Sequence, residues 1–387
     1  MFVLPLLAFI SLTSIALAQQ YNAEPVVQGS IDDGWQSFPD VEDATAYPQW
    51  MIDENIGASL PVYQTAGQDT TEVTRAIIVL HGEVTFLPIQ SHPFQSDVSQ
   101  GSNLLVQYAP LSSSLLAPHR NIDWNSMNNA LYKAAYDDPA IKRKHISILG
   151  PCFFTKDDLI AGAAQRGQLL YGATAWIDGY HNVAPDTMPG YSSFDVLDAL
   201  VAYYMDKTIY PNLKVLVVGG HSAGGQTTQR YAILRKSTLD DNRLQFWIAN
   251  PASLCWLSTD RPVLDYTCSH YDAFKYGLDS NFPTYAPSDA DTLGRDGLID
   301  RYHSRVLSYA WGLNDEESGD TRCEAEMQGS THVERGRNFV AMLEGMGGIP
   351  RRSTIDWVPG VSHDAAGMMA SDAGIDKLFR YMSNTRK

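Results

Sequence analysis

The sequence predicts an α/β protein: a doubly wound, mostly parallel sheet flanked by helices, interrupted by one long insertion. Three observations carry this. Short apolar runs recur without strict polar alternation, the pattern of strands buried on both faces. Stretches with apolar residues at helical spacing lie between them. One gap in the rhythm, about 50 residues long, exceeds an ordinary connection.

Taken in order, the chain opens on MFVLPLLAFISLTSIALAQQ, uncharged and mostly apolar, with Ala16-Leu17-Ala18 as a small-x-small cleavage pattern. The apolar part falls short of the roughly 20 residues of a membrane span, and polar Gln19-Gln20 follow it. Residues 1–18 therefore read as a secretory signal peptide and 19–387 as a single domain with no stable membrane anchor. Residues 19 to about 70, rich in Pro, Gln, Asp and Tyr, read as irregular strands wrapping the core. Ala76–Leu80, Ile146–Leu149, Leu213–Val218, Phe246–Ala249, Val306–Ala310 and Ile355–Val358 read as buried strands. Residues 194–204 place Val196, Leu197, Leu200, Val201 and Tyr204 on one helix face, and 224–236, 333–346 and 372–383 read as further helices. The insertion, about 251–300, holds Trp256, Tyr266, Tyr271, Phe274, Tyr276, Phe282 and Tyr285. Such rings either cap a pocket as a lid or pack the insertion onto the core.

A formal net charge of −16 argues against nucleic acid and anionic membranes as partners. There is no Asn-x-Ser/Thr glycosylation acceptor. Four cysteines in an oxidising compartment suggest two disulfides. Nearness in sequence favours Cys255 with Cys268, leaving Cys152 for Cys323. No Cys-x-x-Cys occurs, so a zinc or thioredoxin-type site has no support, and the chemistry read below calls for no cofactor or metal.

The chemistry concentrates at Gly220-His221-Ser222-Ala223-Gly224, a Gly-x-Ser-x-Gly between a predicted strand and a predicted helix. The turn is tight enough that residues two away from the serine must lack side chains. Ser222 is thus the expected nucleophile. Such a hydroxyl needs a base, and the base an orienting acid, in the chain order Ser, Asp or Glu, His. Of the histidines after Ser222, His363 lies in a loop following the last strand and is the expected base. His332 begins a helix-like run and reads as a surface or capping residue, while His270 and His303 precede the expected acid. In the loop Gly312-Leu-Asn-Asp-Glu-Glu-Ser-Gly-Asp320, Asp315 is favoured over Asp320 by reach. Oxyanion donors are expected at the Ala223 amide and, after the first core strand, at Glu83 or Val84 in Leu80-His81-Gly82-Glu83-Val84.

Across about residues 74 to 384 these features resemble the α/β-hydrolase superfamily of esterases, lipases and related serine hydrolases. The matching parts are His81-Gly82, the Gly220–Gly224 turn, Gly312-x-x-Asp315 and His363. Ser193-Phe194, Gly-His-Ser-Ala-Gly-Gly-Gln at 220–226, Arg230-Tyr231-Ala232, Asn250-Pro251-Ala252-Ser253 and Gln328-Gly329 ahead of Arg335-Gly336 are similar to a fungal and bacterial branch of it. The lipase-type His-Gly-Gly-Gly run is absent, because Glu83 follows Gly82. The resemblance implies a secreted serine hydrolase cleaving small or polymeric carboxylic esters. The alternatives are an amide or peptide hydrolase with the same triad, or a catalytically silent binding protein of the same fold.

Overall fold

A computed structural model describes residues 21–30, 33–82, 122–188, 190–285 and 287–380. The expected signal peptide and the expected oxyanion donors Glu83 and Val84 lie outside these residues. Ten strands are described: β1 (Gly29–Ser30), β2 (Gly34–Trp35), β3 (Ala44–Asp53), β4 (Ala58–Thr65), β5 (Arg75–Leu80), β6 (Ile146–Pro151), β7 (Val215–His221), β8 (Leu244–Ala249), β9 (Val306–Gly312) and β10 (Ser353–Val358). The helices are α1 (Ile122–Asp137), α2 (Lys156–Ala161), α3 (Ser193–Met205), α4 (Ala223–Leu234), α5 (Pro287–His303), α6 (Cys323–Glu326), α7 (His332–Gly345), α8 (Ala365–Ala370) and α9 (Asp372–Ile375).

β1 and β2 form a short ribbon, and the other eight strands form one sheet in the order β10-β9-β8-β7-β5-β6-β4-β3. β5 through β10 pair in parallel, whereas β4 runs antiparallel to both β6 and β3. The parallel strands owe their apolar runs to burial on both faces. In β5, Ala76, Ile78 and Leu80 join one core while Ile77 and Val79 join the other. Leu216 and Val218 of β7 likewise face the first core, and Val215 and Val217 the second. The first core packs α3, α4 and α7 against the sheet, and the second packs α1, α8 and α9. Each fully buried aliphatic side chain contributes roughly 1.5–3 kcal/mol to this arrangement.

Three of the expected helices form close to their expected bounds as α3, α4 and α7, whereas 372–383 is the short α9 followed by a wider π-helical turn over Asp376–Arg380, with 381–383 outside the described residues. Ser192 caps α3 by accepting the Phe194 N–H at 3.0 Å, and Asp195 accepts the Ser192 N–H at 2.8 Å in return. The N-terminal region differs from the expectation of irregular wrapping strands. β3 and β4 instead extend the sheet as an antiparallel pair, and all of β4 except Thr65 is buried. Polar residues obscured this pair because β3 is an edge strand that leaves one flank to water.

From Asn250 to residue 285 the chain carries no strand or helix. Trp256, Phe274 and Tyr276 are buried, Phe282 and Tyr285 pack on the first core, and Tyr266 is exposed. The disulfide corrects the expected pairing. Cys268 is bonded to Cys323, with Cα atoms 5.8 Å apart, so neither Cys255–Cys268 nor Cys152–Cys323 exists. Cys255 is a buried thiol that donates to the Gly277 carbonyl at 3.3 Å, and burial pushes its titration up to about 12. Sequence distance misleads here because doubling a loop adds only about 0.6 kcal/mol to closure. Among the described residues, no helix is long and apolar enough to cross a membrane.

Candidate active site

The carboxyl ends of β7, β8, β9 and β10 share one edge of the sheet, and the loops leaving them carry the expected chemistry. Ser222 is the single residue between β7 and α4. Its backbone sits at φ 57° and ψ −120°, a conformation costing on the order of 1–3 kcal/mol for a residue with a side chain. Two bonds hold it there: the Ser222 N–H donates to Ala249 O, and the Gln226 N–H donates to Ser222 O, both at 3.0 Å. A Cβ on Gly220 would stand 2.4 Å from Leu80 O, and one on Gly224 would stand 2.1 Å from that same atom. Strand and helix backbones meet across these two positions, and only glycine fits. Ala223 is the first residue of α4, so no carbonyl of its own helix reaches its N–H. That N–H stands at the positive end of the helix dipole.

Asp315 lies three residues beyond β9 and is fully buried. His363 Nδ1 donates to Asp315 Oδ2 at 2.8 Å. The His363 ring lies 4.4 Å from that of His221, the residue before Ser222. Among the described residues, no hydrogen bond joins the Ser222 hydroxyl to an imidazole. Burial works to raise the Asp315 titration, but the imidazoles of His332 and His363 outweigh it and hold the carboxyl well below the ordinary range. Asp320, the alternative acid, is committed elsewhere. It accepts from Tyr276 Oη at 2.8 Å and Ser253 Oγ at 3.1 Å, and pairs with Arg322 Nε at 2.7 Å.

His332 departs from its expected surface or capping role. Only 1% of it is exposed, and its ring stacks on His363 at 4.2 Å and 26°. Its Nδ1 lies 3.1 Å from Asp315 Oδ1 at an angle too oblique for a hydrogen bond. The signal that hid it is real: Thr331 does cap α7, accepting the Glu334 N–H at 3.2 Å. The residue after a cap ordinarily faces water, whereas here the acid loop covers it.

Asp315, His332 and His363 bring ligand atoms within 4.8 Å of one another, which raises the question of a metal ion. The stacking answers it. Imidazole lone pairs lie in the ring plane, and two nearly parallel rings cannot both aim at one ion about 2.0 Å away. In the second such group, Cys268, Cys323 and Glu324, both sulfurs are spent in the disulfide.

Two further residues carry no sequence signal of their role. Asn250, at φ 40°, joins three loops: Oδ1 accepts the Gly312 N–H at 2.8 Å, while Nδ2 donates to Ser362 O and lies against His221 Nε2, both at 3.2 Å. Asp123 opens α1, where Oδ2 accepts the Gly82 N–H at 2.5 Å. Burial pushes its carboxyl up to about 7, although Gly82 and His363 both oppose the rise. A Cβ on Gly82 would lie 3.6 Å from Asp123 Oδ2 and 3.7 Å from Ser222 Cβ, so the Asp123 carboxyl and the Ser222 side chain flank one point. His81 is buried behind it, its ring 4.2 Å from that of Trp176.

No protein-family model matches the chain, and no curated protein matches it by sequence. Among solved structures, it is similar to a poly(3-hydroxybutyrate) depolymerase from Bordetella parapertussis, with a TM-score of 0.50 and 14% identity over 87% of this chain and 93% of that one. A poly(aspartic acid) hydrolase from Sphingomonas sp. KT-1 superposes with a TM-score of 0.49 and 18% identity, covering 84% and 94%. An S-formylglutathione hydrolase from Agrobacterium tumefaciens gives 0.44 and 9%, covering 91% and 98%. With the strand order above, the first of these likenesses establishes the fold: this is an α/β-hydrolase fold.

Proposed function

We propose that this chain is a serine hydrolase of carboxylic esters, with Ser222 as nucleophile, His363 as general base and Asp315 as the orienting acid. The observation that carries the reading is the 2.8 Å bond from His363 Nδ1 to a fully buried Asp315, beside a serine held at positive φ. Asp315 fixes the imidazole with its proton on Nδ1, leaving Nε2 as the basic nitrogen. His363 then takes the Ser222 proton as Oγ attacks the acyl carbon, a contact that tightens when substrate binds. The Ala223 amide and an amide at Glu83 or Val84 receive the oxyanion. His363 returns the proton to the leaving alcohol, and water releases the acyl group.

The segment 251–300 serves in this reading as the lid that selects the acyl or alcohol part. The disulfide supports assignment to an oxidising compartment, in line with a cleaved leader at 1–18. One similar fold is named for a polyester, so polymeric as well as small esters belong to the proposed substrate class.

A fluorophosphonate probe tests the assignment. Wild-type protein should be labelled at Ser222, and Ser222→Ala should lose labelling and turnover of p-nitrophenyl acetate while keeping its circular dichroism. Labelling that persists in the alanine variant refutes the nucleophile.

A further inference from the structure

Resting on that serine-hydrolase reading, we propose that His332 is a positioning residue, a second histidine that braces the catalytic imidazole and shares its carboxylate. Asp315 has two oxygens. One is taken by His363 at 2.8 Å, and the other has no hydrogen-bond partner among the described residues and only His332 Nδ1 near it, at 3.1 Å. Neither nitrogen of His332 has another hydrogen-bond partner among the described residues. A small turn of the ring straightens the approach and satisfies both groups. Leaving a buried polar atom unpaired would cost about 1–3 kcal/mol.

The surroundings are built to hold this ring. The His332 N–H donates to Glu317 O at 3.0 Å and the Val333 N–H to Asp315 O at 3.1 Å, so the start of α7 is tied to the acid loop by its backbone. Gly319 has φ 56°, and a Cβ there would fall 2.4 Å from His332 Nε2. The loop folds over the imidazole at the one residue that leaves it room. On its other side His332 lies against His363. His363 therefore has two rings beside it, His332 at 4.2 Å and His221 at 4.4 Å.

Charge makes histidine apt here. The groups bearing on this pair are Asp315 from the acid loop, His221 at the end of β7, Asp123 from α1 and Arg335 within α7. Burial pushes His332 below the usual imidazole range, and His363 and Arg335 add to the fall while Asp315 opposes it. A neutral imidazole can offer an N–H to Asp315 without setting a second positive charge beside His363 when that residue takes up its proton. It also draws part of the carboxylate's charge away from His363.

The test is the pH profile of kcat/KM for p-nitrophenyl acetate. His332→Phe keeps a flat ring and removes the N–H. Asp315 then acts on His363 alone and favours its protonated form, so the acidic limb should move to higher pH by about half a unit. At the plateau kcat should fall about tenfold with KM unchanged, equivalent to the loss of one such contact. His332→Asn offers a donor without the stack. It should leave the limb within about 0.2 unit of wild type while lowering kcat. Wild-type kcat with an unmoved limb in His332→Phe overturns the proposal. If that variant does not fold, His332→Asn decides: wild-type kcat, or a limb moved by about half a unit, overturns it. Fluorophosphonate labelling of the wild type separates the two failures, since a protein unlabelled at Ser222 brings down the serine-hydrolase reading and this proposal with it.

Discussion

The turn that carries Ser222 and the loop that carries Asp315 stand side by side at one sheet edge, yet they are held in different ways. Ser222 is fixed by backbone. Its unusual φ, the two glycines against Leu80 O and the bond to Ala249 O leave its side chain little to do with its own placement. The Asp315 carboxylate is met by side chains that arrive from elsewhere, His363 from after β10 and His332 from α7, while Asn250 bridges Gly312 to Ser362. A site of the first kind writes itself into a short stretch of sequence. One of the second kind is spread along the chain, Asn250 alone bonding to a carbonyl 112 positions away.

Asp315→Asn strikes the side-chain half directly. An amide in that place disturbs the tautomer of His363, and kcat should fall by about 10³- to 10⁴-fold with little change in KM. Asp320→Asn, which breaks the Arg322 and Tyr276 contacts instead, should keep labelling at Ser222. Steady-state kinetics on both variants would reverse the assignment if the larger loss followed Asp320.

Gly224→Ala strikes the backbone half. With the new Cβ placed 2.1 Å from Leu80 O, strand and helix must part, and stability should drop on the order of 3 kcal/mol or more. Denaturant unfolding would show it. A stable and active Gly224→Ala protein would mean the turn is not the steric lock described above.

Asp123, bonded to Gly82 beside the Ser222 turn, gives the smallest effect. Its carboxyl titrates at about 7 in the fold, against 3.8 for an unperturbed aspartate. Between those values the folded state binds a proton that the unfolded chain has lost, so stability falls as pH rises from about 4 to 7 and levels off above. Asp123→Asn still offers an acceptor to Gly82 and removes that slope. Its melting temperature should match wild type near about pH 4 and exceed it at about pH 8, by about 1 to 1.5 °C for each kcal/mol relieved. A wild type that melts at a constant temperature over that interval rules out the raised titration.

This contrast explains what could be read in advance. The inner parallel strands were legible because both their faces are covered and their residues are mostly apolar, whereas β10, at the edge opposite β3, is half-buried over Ile355–Trp357 and carries Asp356. The Ser222 turn was legible because steric demand leaves glycine behind. Reach beyond β9 favours Asp315 over Asp320 as the expected acid; Asp315 bonds His363 and Asp320 pairs with Arg322. What escaped was set by distant neighbours. β3 carries its polar residues because it is an edge, His332 begins a helix like any capped surface residue, and Asn250, although part of a stretch that carries the resemblance, has nothing beside it in sequence to show which loops it bridges. The disulfide belongs with these, since Cys268 bonds a partner 55 residues away across the whole of α5 and β9.

That bond closes a covalent hoop, and Asp315 is strung on it. The hoop starts in the irregular segment after β8 and shuts at the first residue of α6, where Cys323 directly follows Arg322, the cation gripping Asp320. A tug on the aromatic segment is therefore transmitted through the sulfurs to Arg322 and Asp320, and from there to the stretch of chain bearing the acid. Aromatic segment and carboxylate belong to one mechanical unit, and neither can drift far without dragging the other.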